Sequence, residues 1–209
     1  MHSNNPEPKS NQIKLIIFDL GGVIIDFTED KYFSYLSKES GIPASKISNI
    51  FGELIEKMES DRMRLSEMEE IVKKRLGINK NKIRWSSVFY ELSHVNQDVK
   101  SMMLKLKKNY RIAILSNISR SRFLESLKLI KGVPYERYFA SVFLHLRKPD
   151  PRIYLYALRK MHVLPAESIF IDNRVENVRG AEAVGMHGIL FKSAADLENK
   201  LAKLGVKLQ

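Results

Sequence analysis

Apolar positions along this chain follow two rhythms, and the change between them divides it. Lys14 to Phe18 is a short apolar run that stops at Asp19 and enters Gly21-Gly22, the pattern of a buried strand and a tight turn. Over 28–95 a helical spacing takes over, with Tyr32, Phe33 and Leu36, then Ile47, Ile50, Phe51, Leu54, Ile55 and Met58. Within it, Ser66 stands three residues before Glu69 and predicts a capped helix start, with turns near Gly41-Ile42-Pro43 and Gly77. Strand and helix patterns then alternate. Helices are predicted over 97–108, 122–130, 151–161 and 178–184, and strands over 111–115, 141–144, 168–171 and 188–191. Strands separated by helices predict an α/β fold whose central sheet is parallel, with helices on both faces. The organisation is therefore a tail over 1–12, a core from 13–27 and 96–209, and a helical insertion over 28–95.

Composition narrows the possibilities. The chain is 44 % hydrophobic and 28 % charged, as expected of a packed globular domain. No apolar run approaches the roughly 20 residues of a membrane span, and the first twelve residues carry Pro6 and Pro8 but no apolar stretch to serve as a signal. Disulfides, zinc ribbons and cysteine nucleophiles are excluded by the absence of cysteine, which also suits a cytoplasmic protein. The net charge of +11 admits nucleic acid or an anionic small substrate as partner. Nine Lys or Arg fall between Lys100 and Lys131 against one acid, Glu125, yet no recognition-helix pattern or aromatic-interleaved basic strand accompanies them. A small anionic substrate is the better reading, and nothing fixes an oligomeric state.

In an open parallel sheet, ligands bind beyond the carboxyl ends of the strands. The residues there are Asp19, Ser116 with Asn117, the loop Arg147-Lys148-Pro149, and Asp172 with Asn173. A carboxylate can attack a phosphoryl or carbon centre. A hydroxyl and an amide can hold anionic oxygens while Lys148 supplies a fixed positive charge. Paired carboxylates invite a magnesium ion, Mg2+, which prefers oxygen ligands. Gly21 and Gly22 would let backbone N–H groups approach an anion.

These residues fall in four signatures in order: Ile17-Phe18-Asp19-Leu20-Gly21-Gly22-Val23, Leu115-Ser116-Asn117, Arg147-Lys148-Pro149-Asp150, and Phe170-Ile171-Asp172-Asn173-Arg174-Val175-Glu176-Asn177. The chain resembles the haloacid dehalogenase (HAD) superfamily, nearest its branch of bacterial sugar-phosphate phosphatases of the alpha-glucose-1-phosphatase kind. The resemblance implies a Rossmann-like core with an all-helical cap inserted after the first strand. It implies Asp19 as nucleophile, Ser116, Asn117 and Gly22 as substrate-binding groups, and Lys148 as both substrate contact and charge balance. Asp19, Gly21, Asp172 and Asn173 would hold magnesium. The implied reaction is hydrolysis of a small phosphorylated metabolite through an aspartyl-phosphate.

Two positions depart from that pattern. Gly21 stands where the family's phosphatases carry the acid that protonates the leaving group, and Asn173 where they carry a metal-binding Asp. Asp26 is a possible substitute acid. Two alternatives follow, a 2-haloacid dehalogenase-type hydrolase that needs no metal and a non-catalytic binding protein. Other features have plainer readings. Ser116 is a candidate N-cap for the following segment, Asp150 a cap for the helix that opens at Pro151, and Asn177 either a turn former or a site residue. Trp85, Phe89 and Tyr90 are read as cap core, Arg62 and Arg64 as solvated cap face, and His145 and His187 as structural. The catalytic reading requires Asp19, Ser116 and Lys148 to share one pocket, and fails if the Asp19 carboxylate is locked in a buried ion pair.

Overall fold

The computed structural model describes residues 12–77 and 91–208. The tail over 1–11 and the aromatic trio Trp85, Phe89 and Tyr90 lie outside the described residues. Five parallel strands form the central sheet in the order β5-β4-β1-β6-β7: β1 (Leu15–Phe18), β4 (Arg111–Ser116), β5 (Arg137–Ala140), β6 (Ser168–Asp172) and β7 (His187–Leu190). Strand β1 lies in the middle, with Phe18 opposite Ile114 of β4 and Ile171 of β6.

Alternation along β1 sends its side chains to two cores. Ile16 and Phe18 join Ile112, Ile114, Ile169 and Ile171 on one face, against α4 (Gln97–Leu106) and α9 (Ala194–Lys203). On the other face Leu15 and Ile17 meet Ala113, Leu115 and Phe170, covered by α7 (Pro151–Met161), which contributes Ile153, Tyr154, Ala157 and Met161. Because β1 is buried on both sides, it is a continuous apolar run, as central parallel strands are.

The insertion contains α1 (Glu29–Ser40), α2 (Ala44–Glu59) and α3 (Leu65–Leu76). Its core continues that of the sheet's first face, with Tyr32, Phe33 and Phe51 in edge-to-face contact at 5.4–5.8 Å between ring centroids. A two-stranded antiparallel ribbon, β2 (Ile25–Asp26) with β3 (His94–Val95), joins it to the core. Among the described residues no helix is long and apolar enough to cross a membrane.

Three local expectations need correction. The strand predicted over 141–144 is a helical turn, α6 (Ser141–Leu144), and the fifth strand is the four residues before it. A short apolar run does not by itself separate strand from helix, and here Phe143 is 46 % exposed, so the run is not a buried strand. The capped start lies earlier than Ser66: α3 opens at Leu65, and the Glu67 carboxylate accepts the Arg64 N–H at 3.1 Å. Ser116 caps no helix; Ser119 holds the N-cap position of α5 (Arg120–Leu129). Asp150 does cap α7, accepting the Arg152 N–H at 2.9 Å with Pro151 in the first turn.

Candidate active site

The parallel register fixes the central pair of groups. The Asp19 N–H donates to the Ile171 carbonyl at 2.8 Å, extending the β1–β6 ladder by one residue. This brings the Asp19 and Asp172 carboxylates side by side at the ends of neighbouring strands. Lys148, from the loop between α6 and α7, reaches between them with Nζ 2.7 Å from Asp19 Oδ1 and 2.6 Å from Asp172 Oδ2. All three are buried, and the trio carries one net negative charge.

The electrostatics follow from that burial. Loss of water raises the Asp19 carboxyl to about 6; Lys148 opposes the rise and Asp172 adds to it. Burial alone would lower the Lys148 ammonium, but the two carboxylates more than reverse this and hold it above its ordinary value. Although the ion pair is buried, it does not close Asp19 off. Asp19, Lys148 and Ser116 all line a cavity of about 330 Å³. The partner in the pair is the residue to which the family resemblance assigns charge balance.

Gly21, Asn117, Asn173, Arg174 and Asn177 also border this cavity from the core, with Thr28, Glu29, Asp30 and Glu59 on the side of the insertion. Arg174 and Glu29 pair across it at 3.0 Å. Arg122 also lines the cavity and stacks its guanidinium over Phe27 and Tyr32, 5.3 and 5.1 Å from the ring centroids.

Several sequence-predicted residues occupy different positions from those their roles suggested. The two ends of the Asn117 amide are spent on Lys148: Nδ2 donates to the Lys148 carbonyl at 2.9 Å and Oδ1 accepts its N–H at 2.8 Å. That side chain clamps the lysine loop, while Ser116 also lines the cavity. Asp172 is fully buried behind Lys148; Oδ1 accepts the Arg174 N–H at 2.8 Å, and Oδ2 accepts from Lys148 and, at 3.0 Å, from Asn177 Nδ2. It anchors the turn and the lysine and does not front the cavity.

Gly22 does not line the cavity either, because its N–H donates to the Ile25 carbonyl at 2.7 Å. Its need for glycine is local. It has φ of +78°, and a Cβ there would lie 2.3 Å from the Asn173 amide nitrogen. Asp26 is turned away, bonded to Lys31 at 3.0 Å and within 3.1 Å of His94, so it is not the substitute acid. Arg62 and Arg64 line a separate outer groove. His145 and His187 contact backbone carbonyls, of Ser60 at 3.3 Å and Ala166 at 3.2 Å. Sequence reasoning missed Glu29 and Glu59, whose helical positions carry no signal beyond polarity; Arg147 was visible only as the neighbour of Lys148.

Comparison with known proteins places the chain in a family and shows a shared fold. A family model described as haloacid dehalogenase-like hydrolase matches residues 13–185. The chain is 27 % identical over 205 residues to a D-ribitol-5-phosphate phosphatase of Bacteroides thetaiotaomicron, covering 90 % of this chain and 97 % of that protein. It is 26 % identical over 198 residues to a phosphorylated carbohydrates phosphatase of Thermotoga maritima, covering 85 % and 84 %. A HAD family enzyme of B. thetaiotaomicron, solved with magnesium and inorganic phosphate, shares the fold with a TM-score of 0.73 at 20 % identity, over 86 % of this chain and 94 % of that one.

Proposed function

The chain belongs to the haloacid dehalogenase-like hydrolases, and from that premise we propose that it is a magnesium-assisted phosphomonoesterase for a small phosphorylated polyol or sugar. The observation that carries the reading is the Asp19 carboxylate on the cavity wall, with the Lys148 ammonium 2.7 Å away and the Ser116 hydroxyl on the same wall. An Asp19 oxygen attacks phosphorus and the bond to the ester oxygen breaks, leaving an acyl phosphate on Asp19 and an alkoxide that takes its proton from solvent water. Water then attacks that phosphorus, the bond to Asp19 breaks, and phosphate leaves. Throughout, Lys148 supplies a fixed positive charge and Ser116 donates to a phosphoryl oxygen. Asn117 keeps the lysine loop in register.

The donor chemistry fits magnesium. The Asp19 carboxylate, the Gly21 carbonyl and the Asn173 amide oxygen belong to residues that border the cavity, and Asp19 forms with Lys148 and Asp172 a trio that is net negative. Magnesium is commonly held by one or two carboxylates together with substrate phosphate and water. When bound, it would neutralise phosphate charge as the bond to the leaving group breaks. With one carboxylate and two neutral oxygens the set is weak. Gly21 offers no acid for the leaving oxygen. The carboxylates that border the cavity from the insertion are Glu29, Asp30 and Glu59.

Phosphate release from a panel of sugar and polyol phosphates, with and without magnesium, tests the reading beside Asp19→Asn. Turnover by the wild type alone is expected. Equal activity in both proteins would remove it, and metal-independent chloride release from 2-chloropropionate would favour carbon–halogen hydrolysis instead.

A further inference from the structure

A single residue at the end of a helix in the insertion is bonded towards both loops that carry the anion-binding groups. Glu59 is the last residue of α2. Its carboxylate lies 2.8 Å from the guanidinium of Arg147, the residue before Lys148, with side chains only 13 % and 28 % exposed. Its backbone carbonyl accepts the Ser141 hydroxyl at 2.7 Å. That hydroxyl in turn accepts the Ile118 N–H at 3.0 Å, two residues after Ser116. Asn117, between them, grips the backbone of Lys148 from the other side. The circuit therefore runs from Glu59 through Arg147 to Lys148, and from Glu59 through Ser141 to the Ser116 turn.

Neighbouring contacts strengthen the docking. Ser60 and Asp61 meet His145 at 3.3 Å and Arg120 at 2.8 Å. Among the described residues, the one ion pair of Arg147 is with Glu59, and Arg147 Nε is buried without a hydrogen-bond partner. Removing that carboxylate would leave a partly desolvated guanidinium beside the lysine loop without its ion partner.

We infer that Glu59 is a positioning residue that, through Arg147, makes the placement of Lys148 conditional on the docked insertion. A purely structural Glu59 would hold the insertion in place without tightening the lysine loop.

Amide hydrogen exchange on the full chain distinguishes the two, reading residues 145–150 with α9 as control. The set is wild type, Glu59→Gln, Arg147→Ala, Arg147→Lys and the Glu59→Gln/Arg147→Ala double variant. Glu59→Gln and Arg147→Ala each speed exchange at the Lys148 amide about tenfold, the double variant no more than either, and Arg147→Lys less, while α9 is unchanged. In turnover, Glu59→Gln lowers kcat about tenfold to a hundredfold with KM within about threefold. Unchanged exchange over 145–150, or losses that add in the double variant, overturns the inference. Only the kinetic arm rests on the phosphatase reading. A wild type that hydrolyses no phosphate ester defeats that reading, while the exchange data still decide this one.

Discussion

Asn117 and Lys148 are joined twice, side-chain amide to backbone, in opposite directions. The 2.9 Å bond to the carbonyl and the 2.8 Å bond from the N–H hold the lysine's main chain from both ends. Asn117→Ala removes both and leaves polar backbone groups with no partner, a cost of about 1–3 kcal/mol. Because Lys148 then loses its aim at Asp19, kcat falls by more than tenfold. Thermal melts and steady-state phosphate release measure the two effects separately.

Asp19→Asn abolishes turnover and yet stabilises the metal-free protein. Burial first, then Asp172, raises the folded-state carboxyl from 3.8 to about 6, against the pull of Lys148. The folded protein therefore holds this proton more tightly than the unfolded chain does. Its contribution to stability is complete below about pH 4 and is lost as pH rises through 6. In EDTA, Asp19→Asn melts above wild type by about 2–6 °C at pH 7, and the gap closes towards pH 4. A gap of constant size across that range contradicts the assignment.

The two adjacent glycines respond oppositely to a side chain. A Cβ at Gly21 meets nothing within 4 Å, and Gly21 borders the cavity. Gly21→Asp is accommodated and raises kcat on alkyl phosphates, whose leaving oxygen needs a proton, by about tenfold or more. Gly22→Ala instead drives a methyl into Asn173 at a φ of +78° and destabilises by about 1–3 kcal/mol. Kinetics with esters of graded leaving-group acidity, and melts of both variants, check the pair.

Asn173→Asp adds a charged oxygen beside a donor set that has one carboxylate on the cavity. Magnesium affinity, followed by calorimetry or by the metal dependence of turnover, tightens by about tenfold. No change would remove Asn173 from the metal's surroundings.

Much of this was legible along the chain. Apolar runs that end in Asp19, Ser116 and Asp172 announce both the parallel sheet and the edge that carries the candidate site, because central strands buried on two faces must be apolar and can turn polar only where they leave the core. The edge strand Arg137–Ala140 escaped, since one open side relaxes its pattern and the apolar residues after it belong to a helical turn.

Sequence by itself determined the alternation of strands and helices in the core, the helical insertion after the first strand and the candidate carboxylate and serine, because hydrophobic period and strand-end polarity are local properties. The candidate lysine came from the family motif alone, since it follows a helical turn and not a strand. Only the tertiary structure decided that Asn117 grips Lys148, that Asp172 backs the lysine and does not front the cavity, that Gly22 and Asp26 point elsewhere, and that Glu59 reaches the lysine loop. Those roles depend on which donor finds which acceptor across 31, 24 and 88 positions of chain. Residue type supplies the capacity to bond, and packing selects the partner.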